Sequence, residues 1–310
     1  MTYHLWLVPL IALTLLQFAA VATSVYLHRG LAHRAVQLHP VTDVGFRAIL
    51  WLTTGQNRRE WVAVHRKHHT FTDKEGDPHS PRLFGLWRVQ LVNVYYYMRE
   101  ARNPETLRTF APDIKEDWMD RTIFAWGLSG LGVGITLLCL IFGLWTGLEA
   151  ALLHAVLYVF VLAPLINVLG HWQGTQNFAN TAYNWRTLSW VTAGESLHNN
   201  HHAYPRAPKF SMGRFEFDPS WVVIRCLSAV GLAKVMGAPC GWKRNARSEP
   251  ARGSTGVEHS GLTNRRKPRK PRAPSPAPRS ARGELPGPHA SDILGLDRLE
   301  LGEGEPLRVG

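Results

Sequence analysis

"LWLVPLIALTLLQFAAVATSVYLHRGLAH", residues 5–33, contains the two features from which the fold is read. Residues 5–27 hold no charge. As a helix they reach about 34 Å, enough to cross a hydrocarbon core of about 30 Å. A cleavable signal peptide would need a basic leading region and a small-residue cleavage site before His28, and neither is present. The stretch then runs into His28 and His33, with Gly30 between them. A membrane-crossing helix is therefore expected to deliver a histidine pair to one face of the bilayer.

Working outward, residues 122–148 and 150–185 are also uncharged, separated only by Glu149. They predict a helical hairpin over 122–145 and 149–170 with a very short turn. Residues 43–56, "DVGFRAILWLTTGQ", are apolar but short and include Arg47, which suits an embedded helix better than a span. Residues 221–236 predict a further helix lying on the body or the membrane surface. The expected fold class is all-α: several membrane-spanning helices under a cytoplasmic helical cap.

Basic residues orient this arrangement. Arg29, Arg34, Arg58 and Arg59 follow the first span, Arg121 precedes the hairpin and Arg186 follows it. The hairpin turn has no Lys or Arg. By the positive-inside rule, 28–121 and 171–241 face the cytoplasm and the N-terminus lies on the far side. The expected location is the bacterial inner membrane.

Composition changes at Trp242. The chain has 310 residues and a net charge of +12, and half of that excess falls in 243–310, where 14 Lys+Arg stand against 8 Asp+Glu. That segment has no aromatic residue and includes "NRRKPRKPRAPSPAPRSARG". Such a composition cannot bury enough apolar area to offset its ordering entropy, so a disordered, solvated tail is expected, with no nucleic-acid partner. The cysteines, Cys139, Cys226 and Cys240, form no CxxC pair, so no disulfide framework or thiolate metal site is suggested.

The histidines carry the chemistry. "HRKHH" gives His65, His68 and His69, "HNNHH" gives His198, His201 and His202, and His171 follows the last span in "NVLGHW". With His28 and His33 these make nine. On a helix, positions i, i+3 and i+4 share a face, so three imidazoles can converge on one point or on two adjacent points. HxxxxH spreads its imidazoles by about 140° on an ideal α-helix, so the first pair needs a break or a curl. Nine imidazoles exceed what one ion takes, so two metals are the natural count. Imidazole suits Fe, Zn, Cu and Ni, and the nearest cysteine-free site type is a histidine-bound di-iron centre.

The ordered set HxxxxH, HxxHH, HxxHH resembles the integral-membrane fatty acid desaturases. The longer stretches "EWVAVHRKHH", "DPHSP" and "GESLHNNHH" are similar to bacterial acyl-CoA (stearoyl-CoA type) delta-9 desaturases. The resemblance covers about residues 20–236 and implies a desaturase domain over 1–242. It implies two ferrous ions held by His28, His33, His65, His68, His69, His171, His198, His201 and His202, with Asn167 holding a water on one of them. It also implies O2 as co-substrate and a cis double bond at carbons 9–10 of a C16–C18 acyl-CoA or phospholipid acyl chain. No fused cytochrome motif is present, so a separate ferredoxin or flavin reductase is the expected electron donor.

Carboxylates beside the boxes, Asp77 and Glu195 first, are candidates to orient imidazoles through their free N–H groups, with Glu60 and Asp73 read as surface or capping residues. His79 in "DPHS" is read as structural. Arg58, Arg59, Arg66, Lys67 and Arg186 are candidates for an acyl-carrier head group. Two other readings compete. A membrane hydroxylase would use similar boxes and leave a hydroxyl product. A metal transporter would place its ligands at mid-membrane, whereas these histidines lie outside the predicted spans.

Overall fold

A computed structural model of the protein describes residues 3–237, with side chains from Trp6 onward. Residues 243–310, read from the sequence as a disordered tail, lie outside the described residues.

The first helix, α1, runs Tyr3–Ala22 and passes without interruption into a ten-residue π-helix, Thr23–Ala32. Against the expectation of a span ending at residue 27, the helix runs on through His28 to Ala32, and His33 follows as its C-cap. Helix α2 is Pro40–Thr53, started by Pro40 and by His39 Nδ1, which accepts from the Val41 N–H. Helix α3 is Arg58–Phe71, capped by Asn57, whose side chain accepts from the Arg59 and Glu60 N–H groups. Helix α4 is Leu86–Ala101. Helix α5, Gly127–Phe142, and helix α6, Leu144–Val156, form the expected hairpin. Its turn is the single residue Gly143, at φ 87°, so it falls earlier than expected, and residues 122–126 stay outside the helix. Helix α6 continues through a second π-stretch, Leu157–Leu162, and Ala163–Asn167 to a short 3₁₀ turn, Leu169–His171. Helix α7 is His198–Ala203 and α8 is Pro219–Ala229.

Helix α8 ends earlier than expected because Gly231 takes φ 75°. The chain then forms a strand, Ala233–Val235, antiparallel to Val36–Leu38, with Val36 opposite Val235. This two-stranded ribbon, with isolated antiparallel bridges at Thr175–Asn184 and Asn184–Leu197, departs from an all-helical fold.

Among the described residues, two helices are long and apolar enough to cross a membrane, Trp6–Ala32 and Leu144–His171. The 16-residue α5 is apolar but shorter. Its outer face is apolar, with Leu128 83% and Leu140 76% exposed, a surface that lipid suits better than water. Its inner face meets α2 closely: a Cβ on Gly130 would stand 2.3 Å from the Trp51 carbonyl oxygen, and one on Gly134 2.3 Å from that of Leu52. Small residues thus let the two backbones touch.

Arg47, anomalous in an apolar helix, is buried and forked onto Asp117 and Asp120 at 2.6–3.0 Å. The second π-stretch leaves carbonyls free of the α-pattern, and α4 supplies donors for them. Gln90 Nε2 reaches the Phe160 carbonyl at 2.7 Å and Asn93 Nδ2 that of Val159 at 3.0 Å. This fastens α4 across the second span beside the histidine-bearing segments.

Candidate metal centre

All nine histidines meet, in two groups. His28, His33, His65, His69 and His201 form one, and His68, His171, His198 and His202 the other, with the ligand atoms of each group within 4.8 Å of one another. Each HxxHH box is shared between the groups: α3 sends His65 and His69 to the first and His68 to the second. Helix α7 sends His201 to the first and His198 and His202 to the second.

The π-helix makes the first pair work. His33 N–H donates to the His28 carbonyl at 3.0 Å, an i→i+5 bond that stacks position 33 over 28. The two rings come within 4.9 Å, where an α-helix would splay them by about 140°.

Within each group the Nε2 atoms face one another. In the first, His28–His201 is 3.0 Å, His33–His65 2.9 Å and His69–His201 2.9 Å. In the second, His68–His171 is 3.1 Å, His171–His198 3.0 Å and His198–His202 3.1 Å. The outward Nδ1 atoms find acceptors. His68 Nδ1 lies 3.0 Å from both Asp77 oxygens, His171 Nδ1 3.0 Å from Asp73 and His28 Nδ1 2.5 Å from Glu195. His198 Nδ1 points to the Glu195 carbonyl at 3.3 Å.

Burial raises all three carboxyls, but the histidine partners and hydrogen bonds outweigh it and hold them below the usual range. The acids stay ionised, so each can accept from an Nδ1–H that faces it. In neutral imidazoles that donate through Nδ1, the facing Nε2 atoms of His68–His171 and His171–His198 would be lone pairs. Two acceptors 3 Å apart repel unless a cation lies between them. Nitrogens at right angles around an ion, each about 2.1 Å away, stand about 3.0 Å apart, whereas a tetrahedral pair stands about 3.4 Å apart. Spacings of about 3 Å suit nitrogens that could share one bound cation. Burial holds His33, His65, His69, His198, His201 and His202 well below the ordinary imidazole range, so they are neutral and able to ligate. Cys139 and Cys226 are not in either group.

The second group opens on a cavity of about 570 Å³ that also touches the first, lined by His28, His65, His198 and Asn167 among mostly apolar residues. Trp61 stacks on His65 at 4.8 Å and forms part of the same wall. The "NN" of "HNNHH" anchors the short α7. Asn199 Oδ1 accepts from the Asn177 and Phe178 N–H groups, and Asn200 joins Asn184 and Glu216.

Several expected roles change. Asp73, read as a surface or capping residue, holds His171, placed by a left-handed φ of 58° and by Ser80 Oγ at 2.7 Å. The spacing to a histidine 98 residues away carried no signal. His79 stacks on His68 at 4.6 Å and reaches the cavity. Burial and the neighbouring His68 push it down to about 3, so it too is neutral. Among the head-group candidates, Arg66 is buried and donates to the Ala32, Leu31 and Phe110 carbonyls and to Asp113, which leaves no N–H for a ligand. Lys67 is paired with Glu100 at 2.6 Å and Arg58 with Asp120. Arg59 and Arg186 are more exposed, 4.0 Å from Glu116 and 3.8 Å from Glu216.

If the acids orient the imidazoles, Asp77→Asn will weaken metal retention about 10–100-fold without changing the ligand set. Chelator titration of the loaded protein measures this, and Asp73→Asn is expected to act on the same ion.

Two long apolar helices and paired histidine groups beside an apolar cavity suit a membrane-associated metal protein of the histidine-box type. Residues 4–215 match the family model described as "Fatty acid desaturase", and the chain belongs to that family. It is similar to "Delta-9 acyl-lipid desaturase 2" of Arabidopsis thaliana, 31% identical over 248 residues, covering 76% of this chain and 77% of the relative. It is also similar to "sn-2 palmitoyl-lipid 9-desaturase" of Nostoc sp. (strain 36), 28% identical, covering 72% and 79%. A third relative, at 32% identity and covering 68% and 71%, is "Hex-5-enoyl-[acyl-carrier protein] acetylenase" of Moorena producens. The protein is thus an enzyme that desaturates fatty acyl chains.

Proposed function

We propose that the protein introduces a cis double bond at carbons 9–10 of C16–C18 acyl chains, using two iron ions and O2. The observation that carries this is the pair of converging Nε2 groups opening on an apolar cavity. His28, His33, His65, His69 and His201 would hold one ion. His68, His171, His198 and His202 would hold the other, with Asn167 beside it through water. Bound iron would supply the activation of O2 that removal of hydrogen from an unactivated chain requires. The overall balance is a saturated acyl chain, O2, two electrons and two protons giving the alkene and two waters. A separate reductase or ferredoxin would provide the electrons.

The chain's own residues bind, orient and exclude water. Val64, Val89, Leu128, Leu131 and Leu162 line the cavity and suit a hydrocarbon chain. Trp61 packs the wall next to His65. Asp73, Asp77 and Glu195 fix the tautomers.

A membrane-lipid ester is the carrier this reading favours over CoA. Arg58, Arg66 and Lys67 are engaged in internal ion pairs and so are poorly free for CoA phosphates. The relatives named above include acyl-lipid enzymes. The basic residues around the boxes support placing the histidine centre on the cytoplasmic side of the inner membrane.

Expression in a host that lacks unsaturated fatty acids tests the proposal. A new cis monoene in the lipid profile is expected. With iron and reductant supplied, an unchanged profile would sink it, and a hydroxylated product would favour the hydroxylase reading.

A further inference from the structure

The cavity is not sealed, and the side chains that line it indicate where it reaches the surface. Most of them are buried or half-buried. Four are exposed: Val94, Arg102, Ala125 and Leu128. All four fall in two segments, the C-terminal half of α4 with its cap and the start of α5. Their neighbours in sequence, Leu91, Tyr95, Ile123 and Trp126, are exposed, large and apolar as well. The two segments are held from different sides. Gln90 and Asn93 fasten α4 to the second span, whereas Trp51 Nε1, on α2, donates to the Trp126 carbonyl at 3.1 Å.

What lies outside decides what enters. Leu128 belongs to the outer face of α5, which suits lipid, so the exposed part of the cavity wall is continuous with the membrane-facing surface. Tyr95 and Trp126 stand one on each segment, and such amphipathic rings favour the level where hydrocarbon meets head groups. A mouth that admits a CoA thioester from water needs several cations for its phosphates. Here three of the four exposed wall residues are apolar, and Arg102 is the single cation, with Glu60 in the same wall. One cation at the membrane surface suits the one phosphate of a diacyl lipid.

We propose that the cavity opens sideways into the bilayer between residues 91–102 and 123–128, and that the acyl chain of a membrane phospholipid enters there while its head group stays at the membrane surface. The proposal rests on the desaturase reading above and gives its lipid carrier a route. The chain passes between Val94 and Leu128, lies along Val64, Leu131 and Leu162, and reaches the histidine groups without crossing water.

Photolabelling tests this on the full chain in phosphatidylglycerol vesicles doped with a phosphatidylglycerol that carries a diazirine in one acyl chain. Val64 and Leu162 line the cavity but are buried, so lipid around the protein does not reach them from outside. Wild type is expected to carry label on both. Ala125→Trp and Leu128→Trp narrow the opening, and each should lower that label about tenfold while the outward Leu13 and Phe18 of α1 keep theirs. Leu128→Ala, a change at a side chain that is 83% exposed, should raise it without lowering Tm. Absence of label on Val64 and Leu162 in wild type overturns the proposal. So does cavity label that none of the three variants alters, and so does its displacement by added palmitoyl-CoA to the same extent in wild type and the Trp variants, which marks entry from water. Label that follows the variants, in a wild type that forms no double bond with iron, O2 and reductant supplied, would sink the desaturase reading and leave the opening standing. A new monoene together with unresponsive label would remove only the opening.

Discussion

Replacing His68 by alanine is expected to abolish desaturation, to lower bound metal from about two ions per chain to about one, and to leave membrane insertion intact. The partition of the histidines is the reason. His68 Nε2 lies 3.1 Å from that of His171 and belongs to the four-histidine group, which would be left with three imidazoles. The five-histidine group shares no side chain with it and keeps its full set. A structural or transition ion generally needs at least four protein or water ligands, so the smaller group is the more fragile. The substitution also frees Asp77, a buried carboxylate that accepts from the Asp73 and His79 N–H groups and so retains partners. Metal analysis and product assay read the result directly. Equal loss of both ions would show that the two groups are not independent sites, and full activity with one ion would show that only the larger group matters.

Arg29→Met is the second large effect, expected to cost about 3–5 kcal/mol of stability, because it removes one partner of a buried ion pair and leaves the other charged. For a chain of this size that is a fall in Tm of roughly 6–20 °C. Arg29 is fully buried, with its NH2 3.0 Å from Asp218 and its NH1 3.4 Å from Glu195, and its guanidinium lies 3.7 Å from the centre of the Phe210 ring. Asp218 caps α8 through the Trp221 N–H and holds the Phe210 N–H as well. Glu195 orients His28, so the loss reaches the metal centre. Thermal unfolding in detergent measures the first consequence and metal retention the second. Adding Asp218→Asn to Arg29→Met should recover part of the stability, since the uncompensated charge is then gone. A variant that melts like wild type would show that Arg29 carries no structural load.

How much of this was legible before the fold was known depends on the range of each interaction. Six of the nine histidines were legible because repeated HxxHH spacing is local, and His28, His33 and His171 stood out by their place at the ends of uncharged runs. Asp77 and Glu195, singled out by their closeness to the boxes, do meet His68 and His28. Asp73 was passed over because its partner, His171, is 98 residues away. Arg66 and Lys67 drew attention as cations inside a box, yet they are held by Asp113 and Glu100 from later segments. A charge in sequence does not say whether it faces solvent or a partner. The boundary of the first helix was misplaced for a different reason. A π-turn differs from an α-turn by one residue in hydrogen-bond register, and apolar composition is blind to that difference.

By itself the sequence determined the materials and their coarse placement: uncharged runs of helix length, and imidazoles clustered at their ends, because both signals depend only on residue type and local spacing. The tertiary structure decided which imidazoles meet. The i→i+5 winding of 23–32 brings His33 over His28, and the meeting of α3 and α7 divides two identical spacings between two histidine groups. Those outcomes depend on backbone register and on contacts across more than a hundred residues, where the cost of closing the chain is met by burial of the whole assembly and leaves no trace in any local stretch.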